Sequence, residues 1–273
     1  MNNLRNIVAL LGALLFLSVT VPSCTSVPLT GRRQLNLIPG SQMLSMSAKE
    51  YSDFLKANKP ITNTAQSQMV VKIGKRIQGA VEQYFRQNNL ADKLGGYQWE
   101  FNLVESKEVN AWCMPGGKVV VYSGILPVTK TEEGLAVVMG HEIAHAVAEH
   151  GSERMSQQML TNFGGMALEK LLETKPAATQ QLWMTAFGAG AQFGVLLPFN
   201  RDQESEADHL GLVFMAMAGY NPNSAVEFWQ RMASQKQGEA PPEFMSTHPS
   251  DETRIAQIKA VMPEAMQYYK PTK

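Results

Sequence analysis

Apolar and polar residues are spread unevenly along the chain, and the pattern divides it into elements. Residues 7–21 form an apolar run behind Arg5, the length of a signal-peptide core. A signal segment is therefore expected over 1–23 and a polar tether over 24–40. Helical spacing follows over about 41–57 and 64–90, with Pro60 between. Residues 97–103 alternate apolar and polar, which predicts a half-buried strand. Residues 109–114 and 118–122 predict two more strands joined at Pro115-Gly116-Gly117. Residues 198–263 carry helical periodicity apart from a loop at about 237–249. The fold class expected is α+β: mostly helical, with a small antiparallel sheet beside the helix that follows the strands. One domain is expected over 41–265, with a tail over 266–273.

That helix is unusual in being apolar on every side. Gly134-Leu135-Ala136-Val137-Val138-Met139-Gly140 leads into His141-Glu142-Ile143-Ala144-His145, and Ala146-Val147-Ala148 follows. An all-apolar helix is a buried one. Thr129-Lys130-Thr131-Glu132 predicts a capping box at its start, and Gly151 a stop at its end. His150 then falls in the last turn, where its expected role is to offset the helix dipole.

Two buried histidines and a glutamate are costly unless paired or bound to metal. His141 and His145 lie one turn apart on one face, so two imidazole nitrogens can reach a single ion. Glu142 is turned by about 100° from His141 and borders that ion without binding it. This is the H-E-x-x-H arrangement, in which zinc activates water and the glutamate is the general base. One zinc ion per chain is expected, with a third ligand downstream. Read as a helix, Glu204, Ala207, Asp208 and Gly211 share a face with two carboxylates and two small residues. The small residues would let this helix approach the first closely. Glu204 is the preferred third ligand, and Asp208 could accept a hydrogen bond from a ligating histidine. Glu206 with His209 is the competing assignment.

Composition adds bounds. The 273 residues are 44% hydrophobic with formal net charge +0, enough for one core and no argument for a nucleic-acid partner. Residues 182–199 carry no charge but are interrupted by Gly188, Gly190, Gly194 and Pro198, so a buried or cleft-lining segment is expected there and not a membrane span. Residues 160–181 are more polar, fit for a cover over the site. Val21-Pro22-Ser23-Cys24 resembles a bacterial lipobox, with Cys24 the lipidated residue. The only other cysteine is Cys113, so no disulfide is then possible.

Taken in order, the motifs resemble the gluzincin zinc metallopeptidase family of the CAAX prenyl endopeptidases and HtpX-like proteases, in its periplasmic, outer-membrane lipoprotein branch. The resemblance rests on His141-Glu142-Ile143-Ala144-His145, on Glu204-Ser205-Glu206-Ala207-Asp208 with Gly211, and on Met217-Ala218-Gly219-Tyr220-Asn221-Pro222 before Phe228-Trp229. Asn110-Ala111-Trp112 before Pro115-Gly116-Gly117, and Thr247-His248-Pro249-Ser250 before Arg254, also match. It implies a zincin-like metallopeptidase fold, zinc on His141, His145 and Glu204, and Glu142 as base. It tips Asn110 and Ala111 toward holding substrate along a strand edge. It also favours a site role for His248, either stabilising an oxyanion or binding the open zinc position. Arg254 would pair with a carboxylate near the site. The implied substrates are unfolded or misassembled envelope proteins, with the outer-membrane assembly machinery as a partner and lipid anchorage facing the periplasm. A non-proteolytic chaperone or assembly factor is the rival: a closed four-ligand site would favour it, and three ligands plus water would favour the enzyme.

Overall fold

The computed structural model describes residues 24–192, 196–234, 244, 248 and 252–271. The expected signal segment, and Thr247, Pro249 and Ser250 beside His248, lie outside the described residues. The helices are α1 (Gly40–Ala57), α2 (Ala65–Gln87), α3 (Glu132–Val147), α4 (His150–Leu172), α5 (Ala177–Ala191), α6 (Leu197–Met217), α7 (Ser224–Ser234) and α8 (Glu252–Tyr268). The strands are β1 (Cys24–Ser26), β2 (Arg33–Leu35), β3 (Pro60–Ile61), β4 (Glu100–Val104), β5 (Ala111–Met114) and β6 (Lys118–Tyr122). The mostly helical α+β class is as the periodicity predicted.

Helix α3 is the axis of the core. Every residue from Gly134 to Val147 is buried, as its unbroken apolar run requires. It packs against α2, α6, α7 and β5. Its start differs from the expected capping box. Thr131, one turn before Gly134, is the cap, and its Oγ1 accepts from Gly134 N at 3.1 Å. Thr129 instead closes the preceding helical turn, donating to Leu126 O. The end differs too. Glu149 takes a left-handed φ of 60° and breaks the chain direction, so Gly151 lies inside α4. His150 is thus the first residue of α4 and not the last turn of α3.

The sheet is mixed, which corrects the antiparallel expectation. Its order is β3-β4-β6-β5, and β4 pairs with β6 in parallel while the other pairs are antiparallel. The continuous apolar run Val119-Val120-Val121 suits a central strand covered on both faces, so β6 takes the middle. The chain between β4 and β5 crosses to the far edge, leaving β5 exposed along one side and adjacent to α3.

Two further expectations are corrected. The tether over 24–40 is largely a docked hairpin: β1 pairs antiparallel with β2, and Val27 joins the main core at 2% exposure. Its polar side chains meet carboxylates of the following helices, with Asn36 Nδ2 donating to Glu149 Oε2 at 2.5 Å. The described first part of the uncharged stretch, residues 182–192, is not buried. Leu182 and Trp183 on α5 are 69% and 55% exposed, and Phe163 and Met166 on α4 are 60% and 64% exposed. Among the described residues, no helix is long and apolar enough to cross a membrane.

Candidate metal centre

Helices α3 and α6 cross at two glycines. A Cβ on Gly211 would lie 2.9 Å from His141 N, and one on Gly140 would lie 3.0 Å from Gly211 O. Backbones can approach this closely only without side chains. The contact sets His141, one residue beyond Gly140, against Glu204 and Asp208 on the facing side of α6.

Four side chains converge there. His141, His145, Glu204 and His248 each offer one donor atom, and all four atoms lie within 4.8 Å of one another. His141 Nε2 is 3.0 Å from His145 Nε2, 3.1 Å from His248 Nδ1 and 3.3 Å from Glu204 Oε2. His145 Nε2 is 3.2 Å from Glu204 Oε1, and His248 Nδ1 is 2.9 Å from Glu204 Oε2. A tetrahedron with zinc bonds of 2.0–2.1 Å has edges of about 3.3 Å. Three imidazoles and a carboxylate at this spacing fit a zinc ion in both chemistry and size.

Each α3 histidine is backed on its other nitrogen. His141 Nδ1 meets Asp208 Oδ1 at 3.0 Å. Arg254 holds Asp208 through Nε to Oδ2 at 2.7 Å and Nη2 to Oδ1 at 2.8 Å. Arg254 also stacks 3.5 Å over the Trp229 ring and reaches Glu204 Oε2 at 3.3 Å. The partner that the sequence did not specify for Arg254 is therefore Asp208, with Glu204 beside it. His145 Nδ1 meets His150 Nδ1 at 2.8 Å.

The electrostatics follow from burial and partners. Burial disfavours charge on His141, but Asp208 and Glu204 outweigh it and raise its pKa to about 9. Burial lowers His145 well below the ordinary histidine value, Glu204 notwithstanding. Burial would raise Glu204, yet His145, His141 and His248 hold it far below the usual carboxylate range. Asp208 is likewise lowered against its burial, by Arg254 and His141. Glu142 goes the other way: burial raises its pKa, and the nearby His248 and His141 only partly oppose this. Its Oε1 makes no hydrogen bond among the described residues and lies 3.4 Å from His248 Nε2. A buried carboxylate with raised basicity and one oxygen uncommitted is what a general base needs.

The competing ligand pair is not brought together. Glu206 faces away from the cluster, accepting from Arg32 Nε at 2.7 Å and from His150 Nε2 at 3.3 Å. His209 Nε2 sits 3.0 Å from Glu264 Oε2 on α8. At the sheet edge, Tyr122 N donates to Asn110 O, so ladder alternation turns the Ala111 and Cys113 backbone groups outward. Asn110 Oδ1 accepts from Ala111 N at 2.9 Å, a bond within the chain. Trp112 packs on Tyr51 and Phe54 of α1. Sequence reasoning missed the roles of His150, Glu206 and Arg32. The break comes at Glu149, two residues before the Gly151 that signalled it, and Arg32 lies far from α6 in sequence.

A family model described as peptidase family M48 matches residues 73–262. The chain is 38% identical over 173 residues to the mitochondrial metalloendopeptidase OMA1 of Schizosaccharomyces pombe, covering 63% of this chain and 49% of that protein. It is 31% identical over 212 residues to the corresponding protein of Saccharomyces cerevisiae, covering 75% of this chain and 59% of that one. It is also 31% identical over 166 residues to the beta-barrel assembly-enhancing protease of Escherichia coli strain K12, covering 59% and 34%. In each case the match spans less than two thirds of the relative's length.

Proposed function

The chain belongs to peptidase family M48, and from that premise we propose that it is a zinc metalloendopeptidase of the bacterial cell envelope that degrades unfolded or misassembled envelope proteins. The observation that carries the enzymatic reading is the convergence of His141, His145 and Glu204 with Glu142 beside them. Zinc held there would supply Lewis-acid polarisation of the scissile carbonyl and of the attacking water. Glu142 takes the proton from that water and delivers it to the leaving amine, a task its raised pKa suits. Asp208 and Arg254 hold the His141 ring. The open edge of β5 at Ala111 and Cys113 holds substrate extended by backbone hydrogen bonds, largely independent of its sequence. Asn110 Oδ1 already accepts from Ala111 N, so a side-chain bond from Asn110 to substrate would be donated by its Nδ2.

The envelope assignment rests on the lipobox-like Val21-Pro22-Ser23-Cys24 and on the likeness to a protease named for enhancing β-barrel assembly. In it, Cys24 carries lipid and anchors the protein to the outer membrane, facing the periplasm. Fatty-acid labelling that survives Cys24→Ala would remove the anchor.

One observation favours a second reading. His248 Nδ1 stands at the fourth corner of the donor set, 2.9 Å from Glu204 Oε2, so the set is closed. A closed set belongs to a latent enzyme or to an assembly factor with structural zinc. Casein digestion separates the readings. Wild type should hydrolyse it, a chelator should stop it, and Glu142→Gln should retain zinc while losing roughly 10²–10⁴-fold in rate. His248→Ala should raise the rate if the histidine restrains the zinc and lower it if the histidine takes part. No hydrolysis of casein or other unfolded proteins by either wild type or His248→Ala would sink the peptidase reading.

A further inference from the structure

The described residues hold a second chain of polar groups, part-exposed at the N-terminal hairpin and buried where it reaches the metal centre. Arg32, in the turn before β2, donates through Nη1 and Nη2 to Glu153 Oε1 and Oε2 at 2.9 and 2.8 Å, and through Nε to Glu206 Oε2 at 2.7 Å. Thr30 Oγ1 donates to the other oxygen of Glu206. Gln203 Nε2 donates to Glu153 Oε2 at 2.8 Å. Glu206 meets His150 Nε2 at 3.3 Å, and His150 Nδ1 meets His145 Nδ1 at 2.8 Å. Glu153 and His150 are fully buried. Groups this deep must satisfy one another.

Metal on His145 fixes the proton arrangement of this chain. With a metal on its Nε2, which faces His141 and Glu204, His145 carries its proton on Nδ1. That proton is donated to His150 Nδ1, which must therefore be bare. His150 then carries its proton on Nε2 and donates it to Glu206. A carboxylate fixed by Thr30 and Arg32 thus specifies the tautomer of two successive rings. The His141 side is built alike, with Asp208 fixed by Arg254, except that an imidazole stands between His145 and its carboxylate.

We propose that His150 is a positioning residue for His145, and that the N-terminal hairpin, through Arg32 and Thr30, is a working part of the metal centre. The proposal rests on the zinc reading above. A ligand histidine typically loses about 10–100-fold in metal affinity when the partner of its other ring nitrogen, here His150, is removed. The hairpin's Arg32 would then govern zinc retention although it touches no donor atom.

The test uses the full chain and zinc competition against a chromophoric chelator, with the visible spectrum of the cobalt-substituted protein as a second readout. Arg32→Met and His150→Phe should each weaken zinc binding about 10–100-fold and alter the cobalt bands. The double variant should be no weaker than His150→Phe alone, because both act through one chain. Exposed Arg33→Met is the control and should match wild type. Should Arg32→Met fail to fold, Thr30→Val, which removes a donor to the same carboxylate without changing charge, is measured in its place and should alter the same bands. Zinc affinity and cobalt bands unchanged in the hairpin variants, with zinc bound normally by wild type, would overturn the proposal. Failure of wild type to bind zinc would instead overturn the metal centre itself.

Discussion

Glu204 and Glu206 stand two residues apart on one helix and face different partners. Glu204 points at His141, His145 and His248; Glu206 points at His150 and Arg32. The difference is the 200° that two residues turn on a helix. After dialysis against zinc-free buffer, Glu204→Ala should lose its metal, because a donor is gone. Glu206→Ala removes only support and should retain more zinc. Elemental analysis showing the reverse would sink Glu204 as third ligand. The face carrying Glu204 was legible because Ala207 and Gly211 share it, and only small residues admit a second helix. The partners of Glu206 were not legible, since residues 30 and 32 reach it through tertiary folding alone.

At the scale of elements, the α3–α6 crossing sets the precision of the site. Gly211→Ala gains up to about 1 kcal/mol of helix propensity. It also places a methyl 2.9 Å from the backbone nitrogen of His141, where no flexible side chain can give way. Overpacking of this kind typically costs about 1–3 kcal/mol, so the net effect should be destabilising. The urea midpoint should fall, and zinc should bind more weakly because His141 and Glu204 are pushed apart. Gly79→Ala, mid-helix in α2 with nothing within 4 Å of the added Cβ, should instead raise the midpoint. An unchanged midpoint in Gly211→Ala would mean that the helices separate without cost. Element type was readable where the pattern was strong, in the helical period of α2 and the long unbroken apolar run of α3. Boundaries and pairing were not: Glu132 three residues after Thr129 points to the wrong threonine as the cap, and nothing in Val119-Val120-Val121 says which neighbour runs parallel.

For the whole molecule, stability should depend on pH through the buried imidazoles, whose shifts oppose one another. In metal-free protein, His141 is raised to about 9 because Asp208 and Glu204 prevail over burial. A raised pKa stabilises the fold fully below the unfolded histidine value of about 6.5, and that stabilisation is lost as pH rises through 9. His145 and His150 are lowered, chiefly by burial. Their contribution is full above about 6.5 and is lost as pH falls, when the unfolded chain takes up protons that the fold refuses. Glu204 and Asp208, also lowered, add to the loss at more acid pH. Glu142, raised by burial, opposes this loss only in part, so the metal-free urea midpoint should peak near pH ~6.5 and decline on both sides. Zinc should remove the part of the alkaline decline that His141 contributes, because it requires that ring neutral, and steepen the acid decline, because protons compete for its ligands. A metal-free midpoint that stays level from about pH 6.5 to 9 would mean that Asp208 and Glu204 do not hold a proton on His141. The two carboxylates would then serve it as hydrogen-bond acceptors alone.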